Sequence, residues 1–69
     1  MGESIYKIIE LVGTSTTSWE DAAKSAVEKA AGSLRDLRVG EVGKMDMTIE
    51  NGKVALFRAR VTVSFKFDG

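Results

Sequence analysis

Residues 57–67 read Phe-Arg-Ala-Arg-Val-Thr-Val-Ser-Phe-Lys-Phe, and apolar residues alternate with polar ones throughout this stretch. Side chains of a β-strand point alternately to its two faces, so this period of two predicts a strand with one apolar and one polar face. Residues 41–49 also alternate, and Asn51-Gly52 lies between the two stretches. Because Asn and Gly tolerate the positive φ angles of a two-residue loop, this dipeptide predicts a β-hairpin.

The two faces of this hairpin are expected to have different roles. One face would pack on the core, with the two methionines as filler; it carries Gly43, Met45, Met47, Ile49, Phe57, Ala59, Val61, Val63, Phe65 and Phe67. The other face is polar and is the expected place of any function; its polar residues are Lys44, Asp46, Thr48, Arg58, Arg60, Thr62, Ser64 and Lys66.

A further strand is predicted upstream, at residues 4–12, where apolar side chains alternate onto both faces. A strand that is apolar on both faces needs cover on both of them. Since one helix can cover only one face, the second cover is expected to come from another subunit. The sequence therefore predicts a homo-oligomer.

Between these strands the sequence predicts a turn and one helix. Residues 13–18 are glycine and hydroxyl residues, and Ser18 with Asp21 three positions later resembles a helix capping box. The helix is predicted from Trp19 to Leu37, with Trp19 packed in the core or an interface. Its apolar stripe is Trp19, Ala23, Ala26, Val27, Ala30, Leu34 and Leu37.

The element order is therefore β-α-β-β, in the α+β class, and residues 1–69 form a single domain. The helical crossover makes the first two strands parallel, and the hairpin makes the third antiparallel to the second. The simplest arrangement is a three-stranded antiparallel sheet in the order 1-3-2, wrapped on one helix.

Composition narrows the functional classes. The chain of 69 residues has no cysteine and no histidine, and its ten acidic residues balance ten basic ones. Disulfides and thiolate metal sites are excluded, and the commonest general base is missing. A neutral chain without a basic run predicts no nucleic-acid partner and no membrane partner. The expectation is a cytoplasmic protein that is not an enzyme.

Three carboxylates on or beside the second strand are candidate metal ligands. Glu41, Asp46 and Glu50 supply the oxygen atoms that calcium prefers. No EF-hand loop is present, so single carboxylates from several subunits would have to form the site. The alternative role for each is a solvated or salt-bridged side chain, and Asp46 shares its face with Arg58 and Arg60.

Three segments resemble the dodecin family: Ile8–Ser15, the pair Glu41-Val42, and Val63–Phe67. The resemblance covers the chain in length, element order and turn positions. It implies a small subunit that assembles into a hollow dodecamer of cubic 23 symmetry, with helices outside and sheets lining the cavity. Many dodecins also bind flavins in pairs, between tryptophan side chains.

The resemblance further implies that the flavin residues are altered here. The stacking tryptophan corresponds to Val39 and a neighbouring aromatic residue to Gly40. The flavin-binding glutamine corresponds to Arg58 and a phosphate-binding basic residue to Asp46, and only Lys66 keeps the basic character of its position. Because valine cannot stack on a flavin, the chain is most similar to the calcium-binding dodecins.

The function expected from sequence is therefore a non-enzymatic, dodecameric binding or storage protein for a divalent cation, calcium. The predicted ligands are Asp46, Glu50 and Glu41. Two alternatives remain open at this point, a flavin-binding dodecin that stores riboflavin or FMN and a purely structural oligomeric particle.

Overall fold

A computed structural model describes residues 5–67 of the chain. The elements in chain order are β1 (Ile5–Ser15), α1 (Trp19–Ala31), β2 (Leu37–Glu50) and β3 (Lys53–Phe67). The three strands form one sheet in the order β1-β3-β2, and β3 is antiparallel to both neighbours. The predicted α+β class, element order and strand order are confirmed.

The core lies between α1 and the middle of β3. Ala59, Val61 and Val63 are buried there, as the alternation of residues 57–67 predicts. Ala22 of α1 is also fully buried, although it is absent from the predicted apolar stripe. Partly buried side chains complete the cluster; they are Ile9, Leu11, Ala23, Val27 and Leu37.

At Gly13 the backbone of α1 lies very close to β1. A Cβ atom at this position would lie 2.0 Å from the carbonyl oxygen of Ala22 and 2.9 Å from the Cβ of Ala26. Real side chains do not tolerate such distances, so the helix backbone can rest on β1 only because residue 13 has no side chain.

The N-terminus of α1 is capped as predicted. Ser18 is the N-cap, and its hydroxyl accepts a hydrogen bond from the backbone N–H of Asp21 at 3.0 Å. The carboxylate of Asp21 accepts a hydrogen bond from the Ser15 hydroxyl at 2.7 Å, which ties the helix to the end of β1. The predicted turn begins too early, since β1 continues past Val12 to Ser15; the predicted start at Ser4 lies outside the described residues.

The prediction that the helix continues to Leu37 is wrong. Regular helix ends at Ala31, and Gly32 follows as the C-cap, its backbone N–H donating to the carbonyl of Lys29 at 3.2 Å. Glycine weakens a helix, and Asp36 then reverses the chain with a φ of 57°. As a result Leu37 opens β2 instead of closing the helix.

The hairpin is confirmed. Asn51 and Gly52 form its loop with φ angles of 52° and 75°, and β2 and β3 extend up to them. Both strands are longer than predicted, because β2 already begins at Leu37 and pairing continues to Glu50 and Lys53 at the loop.

The alternation along β2 is interrupted by irregularities. A register shift between Val42 and Lys44 places Val42 opposite Val61, on the face that packs on α1, instead of on the polar face. The two methionines do lie opposite β3 residues of the apolar face, but Met45 is 60% exposed and Met47 44%. Within one subunit, the prediction that they fill the core is wrong.

Among residues 5–67, no helix is long and apolar enough to cross a membrane.

Candidate functional site on the far face of the sheet

The far face is defined here as the side of the sheet that points away from α1. Residues directly opposite each other on neighbouring strands share a face, so the register identifies its members. From β3 these are Arg58, Arg60, Thr62, Ser64 and Lys66, flanked by Thr14, Val12, Glu10, Ile8 and Tyr6 of β1 and by Asp46, Lys44, Glu41 and Val39 of β2.

One end of the far face is apolar and uncovered. Ile8 and Val39 lie on either side of Ser64 and are 66% and 62% exposed, and Tyr6 is 48% exposed beside them. Val12, further along β1, is 52% exposed. The apolar residues on the two faces of β1 therefore differ in burial, because α1 covers one face of the strand and nothing within residues 5–67 covers the other.

Two carboxylates flank the central strand in the middle of the far face. Glu10 of β1 and Glu41 of β2 both lie opposite Thr62 of β3, one on each side. Glu41 was a predicted site residue, whereas Glu10 was not. The register of β1 against β3 is what reveals it, since Glu10 lies more than thirty positions from Glu41 in the sequence.

Asp46 forms an ion pair with Arg58 across β2 and β3. The Arg58 Nε donates to Asp46 Oδ1 at 2.7 Å and Nη2 donates to Oδ2 at 2.9 Å. These hydrogen bonds, with the charges of Arg58 and Arg60, lower the pKa of Asp46 below its ordinary value, and the pKa of Arg58 is raised. The ion pair is therefore complete above the ordinary carboxyl pKa and is lost only as pH falls through the lowered one.

The backbone at Asp46 is also fixed from the opposite side of the sheet. The Trp19 indole Nε1 donates to the Asp46 carbonyl oxygen at 2.9 Å. The Trp19 ring packs edge-on against Phe57 with 5.0 Å between ring centroids and 72° between planes. Trp19 thus packs within the subunit, as predicted, and it joins the start of α1 to β2.

The three predicted ligands do not meet within one subunit. Glu41 and Glu50 lie nine positions apart on one extended strand, which corresponds to about 30 Å. Asp46 lies between them, and Glu50 faces Lys53 at the hairpin end. Among residues 5–67 there is no group of three or more His, Cys, Asp or Glu side chains that could hold a metal ion.

The positions that correspond to flavin-binding residues are also separated. Val39 lies opposite Ser64, six positions along β3 from Arg58, which corresponds to about 20 Å. Gly40 lies opposite the buried Val63 and so belongs to the other face. One subunit cannot present both Val39 and Arg58 to the same flavin ring.

The sequence as a whole matches a known family along nearly its entire length. The profile of the dodecin family covers residues 5–68. The chain belongs to the dodecin family. The resemblance inferred from Ile8–Ser15 and the other two segments is thereby confirmed.

Individual dodecins support the same assignment. The chain is 44% identical over 63 residues to a Mycobacterium tuberculosis protein named calcium dodecin, covering 91% of this chain and 89% of that one. A solved structure of the M. tuberculosis calcium dodecin, described as a calcium-chelating antigen with a novel calcium-binding site, is 45% identical. It has a TM-score of 0.84 and covers 94% of this chain and 93% of its own.

A dodecin from Streptomyces coelicolor has the same fold with lower sequence identity. It is 32% identical, has a TM-score of 0.93 and covers 100% of this chain and 99% of its own. The likeness therefore includes all three strands and the helix.

Proposed function

We propose that this chain is the subunit of a hollow cytoplasmic dodecamer that binds and stores a divalent cation, calcium, without catalysing a reaction. The observation that carries the proposal is the 44% identity to the M. tuberculosis calcium dodecin over 91% of the chain. The exposed carboxylates of the far face and of the hairpin end supply the oxygen ligands that calcium prefers.

The exposed apolar end of the far face supports assembly. Tyr6, Ile8, Val12 and Val39 remain largely exposed in one subunit. A chain of 69 residues without cysteine gains stability most directly by burying such side chains against further copies of itself.

The separation of the carboxylates supports a site shared between subunits. Calcium takes six to eight oxygen ligands, and the carboxylates of one β2 strand are too far apart to supply them. Glu41, with Glu10 across Thr62, is the largest far-face concentration of acid within residues 5–67. In the assembly we expect Glu41, Asp46 and Glu50 to meet acids of neighbouring copies.

Calcium titration tests this proposal directly. We expect isothermal titration of the wild type to show calcium binding. Glu41→Gln or Glu50→Gln should weaken the affinity by about tenfold or more, because each removes a charged oxygen ligand. Glu20→Gln is the matched control, since Glu20 lies in the first turn of α1 and away from the sheet. No binding heat from the wild type at millimolar calcium would refute the metal proposal.

Asp46→Asn separates two roles of the same residue. If Asp46 is a calcium ligand, this variant should bind calcium about tenfold more weakly while the assembly stays intact. If Asp46 serves only its ion pair with Arg58, calcium affinity should be unchanged and only thermal stability should shift slightly.

The flavin alternative is tested by flavin binding. We expect riboflavin and FMN to bind weakly or not at all, because Val39 offers no ring for stacking. Quenching of flavin fluorescence on titration with protein measures this. Val39→Trp is the matched gain-of-function variant and should increase quenching if the pocket geometry is otherwise retained. Submicromolar quenching by the wild type would restore flavin storage as the preferred function.

A further inference from the structure

The loop of the β2–β3 hairpin consists of two exposed residues with little contact to the rest of the subunit. Asn51 and Gly52 are both exposed and both have positive φ angles. No atom lies within 4 Å of the position that a Cβ of Gly52 would occupy. Within the subunit the loop is therefore uncrowded around Gly52.

The backbone nitrogen of Gly52 is chemically available. In residues 5–67 its N–H donates no hydrogen bond, because the strand pairing closes at Glu50 and Lys53 on either side of the loop. Glycine also places no side chain beside this nitrogen. A peptide nitrogen without a hydrogen-bond acceptor is free to lose its proton to hydroxide and act as a nucleophile.

We propose that Asn51 is a site of spontaneous deamidation. The deprotonated Gly52 nitrogen attacks the side-chain carbonyl carbon of Asn51, a C–N bond forms, and the side-chain amide leaves as ammonia. The resulting five-membered succinimide ring then adds water at one of its two carbonyl carbons. Opening at one carbon gives aspartate, and opening at the other gives isoaspartate. The overall change is hydrolysis of one amide to a carboxylate and ammonia, with no oxidation or reduction.

The two products would affect the hairpin differently. Aspartate tolerates the same positive φ and keeps the loop, but it adds a second acid next to Glu50. The formal net charge of the chain would change from 0 to −1, since its ten acids become eleven against ten bases. Isoaspartate lengthens the backbone by one methylene group, which disrupts the two-residue loop that fixes the register of β2 against β3.

The composition of the chain makes the reaction easy to follow. Asn51 is the only asparagine, and the sequence contains no glutamine. All ammonia released from side-chain amides must therefore come from this residue. Asp68-Gly69 can form the same ring, but it releases no ammonia and changes no mass, so isoaspartate must be assayed on the Asn51 peptide.

The experiment is incubation of the assembled wild-type protein in neutral and mildly alkaline buffer, followed by intact-mass and ammonia measurement. We expect up to one ammonia per chain, a mass increase of about 1 Da and faster conversion in the alkaline buffer. Asn51→Gln is the matched control. It keeps the amide but would require a larger ring, so it should release no ammonia over the same period.

A synthetic peptide spanning residues 48–55 supplies the reference rate. A folded-protein rate above about one tenth of the peptide rate supports the proposal, because exposed loop tips react much as free chains do. A slower rate would show that the hairpin or the assembly protects the loop, and it would overturn the proposal. Calcium binding and assembly are measured separately, so this outcome would leave the proposed function unaffected.

Discussion

Gly13→Ala is expected to unfold the subunit. The added Cβ would lie 2.0 Å from the Ala22 carbonyl oxygen, so α1 would have to move away from β1 as a whole. Overpacking against backbone costs about 3 kcal/mol or more. That is comparable with the whole stability that the core of so small a domain supplies, about 3–5 kcal/mol. Circular dichroism and urea denaturation measure this. We expect loss of the circular-dichroism signal or a large drop in the midpoint of urea unfolding.

Gly43→Ala is the matched control for this prediction. Gly43 also lies in a strand, but a Cβ added there would have its nearest neighbouring atom, the Arg60 carbonyl oxygen, 3.8 Å away, which is ordinary contact. We expect a change in stability of at most about 1 kcal/mol. Equal stability of Gly13→Ala and the wild type would show that α1 does not rest on β1 as described.

Ile8→Lys is expected to break the assembly into small species. Ile8 is 66% exposed on the apolar end of the far face, where the proposed dodecamer would bury it against another copy. A buried lysine without a partner costs about 3 kcal/mol or more in each copy, and a symmetric assembly repeats that cost at every equivalent contact. Sedimentation velocity or light scattering measures the result.

Ser25→Lys tests whether the added charge alone has this effect. Ser25 is exposed on α1, on the opposite side of the subunit from the far face. This variant should sediment like the wild type. A wild type that is itself a stable monomer or dimer at micromolar concentration would refute the dodecamer, whereas an intact dodecamer of Ile8→Lys would exclude Ile8 from its contacts.

Much of the fold could be predicted because its strongest signals are local. The alternation of residues 57–67 identifies the buried Ala59, Val61 and Val63, and Asn51-Gly52 specifies the hairpin loop. The helix end could not be predicted from periodicity, because Leu34 and Leu37 continue the apolar spacing beyond Ala31. Regular helix ends at Ala31, hydrogen-bonded turns continue as far as the Leu34 N–H, which donates to the Ala30 carbonyl, and the left-handed backbone at Asp36 then directs the chain into β2.

The site was harder to predict than the fold, for a geometric reason. Sequence patterns single out acids one at a time, whereas a cation site depends on which acids lie together. Glu10 could not be predicted as a site residue, because its place beside Thr62 and across from Glu41 follows only from the register of β1 against β3. The sequence leaves Asp46 with two possible roles, and its ion pair with Arg58 is the one visible within a subunit.

The position of β3 has a consequence for biosynthesis. It is the middle strand of the sheet but the last of the three to be translated, and β1 and β2 do not pair with each other. A nascent chain therefore cannot form any part of the sheet until residues of β3 have emerged from the ribosome. The β2–β3 hairpin can then close locally, whereas β1 must find partners as distant as Phe67 for Ile5. Until that step, the two-sided apolar surface of β1 remains exposed to chaperones and to other nascent chains.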